Sequence, residues 1–199
     1  TLGYADRIIR IEDGKIVVVG EAAALKAANP QAARHDYGRA LISAGFVDAH
    51  VHYPQTAIIA SWGKRLIDWL NGYTFPEEMR FADPAYATDI ANRYLDLTLT
   101  NGTTTVCSYA TIHPASVDAI FSAAQARGQR LYAGKTCMDR NAPDGLRDTV
   151  QSAYDDSKAL LQAWHGVDRL SYVITPRFSP TSTPEQLAAM GQLLKEHPD

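Results

Sequence analysis

The stretch Leu41-Ile42-Ser43-Ala44-Gly45-Phe46-Val47-Asp48-Ala49-His50-Val51-His52 decides the fold. Its apolar part reads as a short buried strand running from Leu41 to His50, and its end is polar. Downstream, the β-branched run Thr103 to Tyr109 follows Asn101-Gly102, a third strand is expected within Gln129 to Cys137, and a fourth from Leu170 to Thr175, closed by Pro176. Helical periods fill the gaps at about Pro84 to Leu99, Pro114 to Arg127, Asp148 to Trp164 and Pro184 to Glu196, the last with Thr183 as its N-cap. Strands alternating with helices specify a parallel sheet covered by helices. A doubly wound sheet would carry a glycine-rich turn after its first strand, whereas here that strand ends in His50-Val51-His52, so an α/β fold of the (β/α)8 TIM type is expected. Only four candidate strands follow Leu41 and a barrel has eight, so the expectation is the first half of a barrel within a longer polypeptide.

Upstream, Arg7 to Glu12 and Lys15 to Gly20 are β-rich and separated by Asp13-Gly14, a dipeptide that tolerates the positive φ angles of a type I′ turn. A hairpin follows, and because a two-stranded ribbon is marginal in water it needs more sheet than this stretch supplies. A short Ala-rich helix over Glu21 to Ala28 ends before Asn29-Pro30. The expected division is therefore residues 1–42 as a β-rich segment and residues 43–199 as the barrel half.

Composition narrows the function. The chain has 199 residues, 46% hydrophobic and 21% charged, with a formal net charge of −3. No run of Lys or Arg offers an electrostatic footprint for nucleic acid or anionic lipid. No apolar stretch approaches the roughly 20 residues of a membrane span, and the N-terminus lacks a basic region followed by an apolar one. Only Cys107 and Cys137 are present, which gives neither a disulfide framework nor a zinc ribbon. A reducing, cytoplasmic location is expected, with both thiols as plain small core residues.

His50 and His52 carry the chemistry. Residues i and i+2 of a strand share a face, so two imidazoles stand side by side where barrel sites form, positioned to share one small divalent ion, most commonly zinc. The competing reading is a pair of packed or solvated loop histidines. A catalytic zinc wants a third protein ligand, and none of the other histidines supplies it convincingly: His35 lies in a polar connector, His165 and His197 at helix ends, and His113 in a loop it more often hydrogen-bonds than leaves.

The run from Gly45 to His52, preceded by the Asp13-Gly14 hairpin, resembles the entry to the amidohydrolase superfamily. Further motifs strengthen the resemblance: Gln55 after the second histidine, Asp68-Trp69-Leu70 with Tyr73-Thr74-Phe75-Pro76, Asn101-Gly102-Thr103-Thr104-Thr105, Ala110-Thr111-Ile112-His113, Gly134 to Asp139, and Thr175-Pro176-Arg177-Phe178-Ser179. It covers nearly the whole chain from Ile11 and points to the purine-deaminating members, implying hydrolysis of guanine to xanthine and ammonia. It also implies that the N-terminal segment is part of a small β-sandwich. His50 and His52 become the first ligands of one zinc per subunit, with iron as the alternative metal. The family's remaining ligands and its proton-shuttling glutamate are expected after Asp199, so no catalytic residue is assigned within the chain. The expected partners are a small-molecule purine and a second copy of the chain as a homodimer, with neither nucleic acid nor membrane.

Elementary chemistry is consistent with that implication. A hydroxide is needed at neutral pH, and bound zinc lowers the pKa of its water from about 15.7 to about 7. Arg177 offers a planar fork suited to the carbonyl oxygen and adjacent ring nitrogen of guanine, Phe178 a ring to stack on the purine, and Gln55 both donor and acceptor. By residue type alone Arg177 could equally pair with a rim carboxylate, Phe178 pack in the barrel and Gln55 face solvent. The superfamily it resembles also has members that bridge two metals with a carbamylated lysine on the fourth strand, and with no lysine in Leu170 to Thr175 a single-metal site is what the resemblance implies. Lys135 is expected to be a structural ion-pair partner, and Trp69 and Tyr73 core-packing neighbours on a helix, the alternatives being the pocket wall or a subunit contact. The enzymatic alternatives are a deaminase or chlorohydrolase for another purine, pyrimidine or triazine ring; the non-enzymatic one is a barrel scaffold that binds no metal.

Overall fold

A computed structural model describes residues 7–63 and 65–198 and divides the chain into two compact units, Thr1–Ser43 and Ala44–Asp199. The first six residues of the expected β-rich segment lie outside the described residues. In the first unit, β1 (Arg7–Glu12) and β2 (Lys15–Glu21) pair antiparallel with Glu12 opposite Lys15. Asp13 (φ 48°) and Gly14 (φ 72°) form the expected two-residue turn, both in the left-handed region that suits the twist of the strands. A single helix, α1 (Ala22–Ala28), follows. Ile11, Ile16, Val17 and Val19 of the ribbon are exposed, as a two-stranded sheet leaves them.

The second unit begins with β3 (Phe46–His52). A bent helical segment comes next: α2 (Leu66–Trp69), a wider turn over Leu70–Thr74 in which the N–H of Phe75 reaches back five residues to the Leu70 carbonyl, and α3 (Phe75–Met79). Then α4 (Pro84–Thr100), β4 (Thr103–Tyr109), α5 (Pro114–Arg127), β5 (Arg130–Gly134), β6 (Thr136–Cys137), α6 (Val150–Trp164), β7 (Leu170–Tyr172), β8 (Thr175–Pro176) and α7 (Pro184–Glu196) complete the alternation. The main sheet is parallel in the order β3-β4-β5-β7, and β6 pairs with β8 beyond the ends of β5 and β7. Strands in sequence order with a helix after each make the arc of a TIM-type barrel.

Helix starts follow local chemistry. Proline occupies the first turn of α4, α5 and α7, where its missing N–H costs nothing. Asp83 caps α4, Thr149 and Ser152 form a capping box on α6, and Thr183 accepts from the Gln186 N–H at α7 as expected. The core lies between sheet and helices, with Val106, Leu131, Ala133 and Leu170 from the strands against Ile90, Leu95, Ile120, Phe121 and Leu160. Among the described residues no helix is long and apolar enough to cross a membrane.

Three expectations need correction. The first strand starts at Phe46 rather than Leu41, because its neighbour β4 starts only at Thr103, after the turn at Asn101-Gly102, and pairs with Phe46 there. The third and fourth strands are each interrupted: β5 stops at Gly134 and β7 at Tyr172, and both resume after a break. At the break the chains approach so closely that a Cβ on Gly134 would lie 1.7 Å from the Val173 carbonyl oxygen, which only glycine accommodates. Trp69 packs on the cluster of Leu70, Phe75, Ile112, Met138 and Leu146 and donates to Ser61 Oγ at 3.0 Å, whereas Tyr73, one wider turn later, is 41% exposed.

Candidate active site

The site builds from the C-terminal end of β3. One extra residue in β3 between Asp48 and Val51 bulges the strand, a device that re-aims side chains. The His50 N–H donates to Asp48 Oδ1 at 3.2 Å within the bulge. The two imidazoles lie with ring centroids 5.5 Å apart. His52 pairs in register with Tyr109 at the end of β4, and the rings stack at 4.4 Å and 6°, which fixes the imidazole plane. Immediately after His52 the chain is anchored by Tyr53, fully buried, whose N–H donates to Ser108 Oγ at 3.1 Å and whose hydroxyl donates to the Ser116 carbonyl at 2.6 Å. Burial, then the charge of Arg177 and that of His50, lower the pKa of His52 to about 4, so its ring is neutral at neutral pH.

Neutral imidazole is the form that ligates a metal, and His52 Nδ1 is buried without a hydrogen-bond partner, an atom left wanting something to bind. The pair thus fits part of a metal site. Among the described residues no group of three or more His, Cys, Asp or Glu side chains is arranged to hold a metal ion. His35 is exposed, His165 and His197 cap helix ends, and His113 is bonded through its backbone to Thr111 Oγ1 at 3.2 Å and to Ser116 Oγ at 2.7 Å rather than through its ring.

Gln55 and Arg177 converge on a residue that the sequence did not single out, Glu78. The Arg177 guanidinium grips the Glu78 carboxylate with two bonds, Nη1 to Oε2 at 2.5 Å and Nη2 to Oε1 at 3.1 Å. Gln55 Nε2 lies 3.5 Å from Oε1 of the same carboxylate. The pair is buried, with the Arg177 side chain 6% and the Glu78 side chain 0% exposed, and the guanidinium carbon sits 5.6 Å over the Phe75 ring. So the alternative of pairing with a carboxylate is realised at Arg177. Its charge is also one of the causes, after burial, that lower the pKa of His52. Phe178 is half-buried and extended, and among the described residues no ring contact or hydrogen bond joins its side chain to this cluster. The expectation for Lys135 holds: its ammonium, fully buried, bonds both Asp148 oxygens at 2.7 and 2.8 Å.

Two residues of this arrangement were missed. Tyr109 had a signal, since it ends the strand next to that of His52 at the same edge. Glu78 had only the pair of acids in Phe75-Pro76-Glu77-Glu78, and its partner lies 99 positions away. A cavity of about 170 Å³ is lined by His50, Tyr109, Thr175 and Pro176 at the strand ends, while a larger apolar groove of about 450 Å³ beside α6 and α7 contains none of these site residues except Pro176.

The parallel α/β arc carries a histidine pair at the C-terminal end of its first strand, the edge at which TIM-type barrels build their sites. The chain belongs to the amidohydrolase family, which matches residues 41–199, and a bacterial imidazolonepropionase-like composite domain matches residues 9–32. It is similar to guanine deaminase of Escherichia coli, 47% identical over 195 residues, covering 98% of this chain and 44% of that protein. The solved E. coli guanine deaminase superposes with a TM-score of 0.92 over 96% of this chain and 44% of its own. Guanine deaminase from C. acetobutylicum with bound guanine in its active site gives a TM-score of 0.91 at 31% identity, over 96% and 46% of the two chains. A mutant atrazine chlorohydrolase from Arthrobacter aurescens, complexed with zinc and atraton, shares the fold at TM-score 0.82 and 22% identity, over 98% and 47% of the two chains. The chain spans under half the length of these relatives.

Proposed function

We propose that the protein deaminates guanine hydrolytically to xanthine and ammonia. The observation that carries this reading is the buried convergence of Arg177 and Gln55 on Glu78, in a chain that carries the His50–His52 pair, is 47% identical to a guanine deaminase and is similar in fold to one that holds guanine. In this reading His50 and His52 hold a single zinc ion. When bound, the metal supplies Lewis acidity that makes water nucleophilic near neutral pH. Arg177 donates to the purine's oxo and ring-nitrogen edge, Gln55 hydrogen-bonds the ring, and Phe178 covers its face. The same reading takes residues 1–42 as a β-rich composite segment, residues 43–199 as the barrel half, and the working form as a cytoplasmic homodimer that engages neither nucleic acid nor membrane. The net charge of −3 without a basic run supports the last point.

The test uses the full-length protein purified without chelator. Ammonia release is measured from guanine, adenine and cytosine, and metal content by elemental analysis. The expected result is release from guanine with about one metal ion per chain, both lost in His52→Ala. Release only from adenine or cytosine rejects the substrate; absence of stoichiometric metal in an inactive protein indicates a scaffold instead.

A further inference from the structure

Arg177 has five N–H donors and Glu78 consumes only some of them. The carboxylate takes one hydrogen from each Nη, the end-on fork. Among the described residues no acceptor bonds Nε. That leaves a second fork on the side of the guanidinium, formed by Nε–H and the remaining hydrogen of the adjacent Nη. A carboxylate bound end-on cannot let the group spin, because rotation would break two charge-assisted bonds in a buried setting. The Phe75 ring beneath the guanidinium restricts tilt as well.

Glu78 also faces Gln55. A carboxylate only accepts, so the Gln55 amide must turn its NH₂ toward Oε1, which leaves its carbonyl oxygen and second N–H for a ligand. One buried acid therefore sets the donor and acceptor pattern of two side chains that come from different elements, the turn after β3 and the end of β8.

We propose that Glu78 is the positioning residue that sets base specificity: by holding Arg177 end-on it presents the free side fork as a fixed double donor, complementary to two adjacent acceptors such as the 6-oxo oxygen and N7 of an oxopurine. A purine with an amino group at position 6 places a donor against that fork and is excluded. The choice of a purine as ligand rests on the deaminase reading above. Glu78 acts through Arg177 and Gln55 and touches no reacting atom. Its neighbour Glu77 is spoken for by Arg80 at 3.1 Å and by the Tyr86 hydroxyl, so it cannot substitute.

The experiment measures equilibrium binding to the full-length protein of hypoxanthine, which carries the 6-oxo and N7 acceptors, and of unsubstituted purine, which lacks the oxo group. Both are titrated calorimetrically against the parent, Glu78→Gln and Glu78→Asp. The parent is expected to prefer hypoxanthine. E78Q is expected to weaken hypoxanthine binding about tenfold while purine binding changes by less than about twofold, with E78D intermediate because it keeps the charge. A purely structural role moves both ligands alike, so equal losses overturn the proposal. So does unchanged hypoxanthine binding in both variants, or a parent that binds hypoxanthine no better than purine. If E78Q does not fold, the same ligand ratio is read from E78D. Selective loss without ammonia release from guanine overturns the deaminase reading and leaves the role of Glu78 standing.

Discussion

Two buried ion pairs in this barrel wall invite comparison. Lys135 with Asp148 and Arg177 with Glu78 are equally sequestered, each with one partner fully buried and the other 6% exposed. Lys135 is a point charge, and Asp148 receives it on both oxygens with Asp156 3.9 Å away, so the pair is closed on itself. It sits where β5 breaks before β6 and ties that break to the loop ahead of α6. Arg177 is a planar fork, and a single carboxylate cannot saturate it. Burial to the same depth thus yields a brace in one case and a prepared set of donors in the other; the cation's shape makes the difference.

Removing the brace should have the largest effect. Lys135→Met leaves Asp148 buried without a counter-charge and is expected to cost about 3–5 kcal/mol in urea unfolding of the full-length protein. A loss below about 1 kcal/mol would break the comparison, since the pair would then be dispensable. Next comes Arg177→Lys, which keeps the charge against Glu78 but has no second fork. Stability is expected to fall by only about 1 kcal/mol while hypoxanthine affinity drops about tenfold. Equal affinity in parent and variant would show that the fork's shape carries no recognition. The smallest effect belongs to an exposed counterpart joining α6 to α7, where Glu196 accepts from Tyr154 at 2.6 Å and Lys158 at 2.8 Å. Those two bonds, and a third from Gln192, lower the Glu196 pKa from 4.5 to about 2. For a carboxyl whose folded value is depressed, the stabilisation is complete above the unfolded value and disappears as pH falls through the folded one. An NMR titration of the Glu196 side chain should therefore have its midpoint near 2, and one near 4.5 would show that the clasp is not formed in solution.

Much of this was legible in the sequence because it is local. Asp13-Gly14 announces its turn, Pro114 opens α5 and Arg127 closes it as expected, and His50 with His52 is legible as a pair on one strand, although the bulge between Asp48 and Val51 departs from the strict two-residue period. What was hidden depends on parts of the chain remote from one another. Gly134 looks like any strand glycine until the Val173 carbonyl arrives against it. Glu78 looks like the second of two surface acids until Arg177 arrives to claim it. Tyr73 shares a helical period with Trp69 on paper, but the wider turn at Leu70–Thr74 rotates it toward solvent.

That wider turn makes the local chain length matter more than its composition. Each residue of an ordinary helix advances the side chains by about 100°. Glu77 and Glu78 are consecutive, and each already has its own arginine. Deleting one position between Leu70 and Thr74 would swing α3 through roughly that angle, turn Glu78 toward the place Glu77 now holds and bring the uncharged Met79 to Arg177. Relatives with the same pairing should keep the number of residues in this segment, and should vary the exposed Asn71 and Gly72 more readily than the buried Leu70 and Thr74.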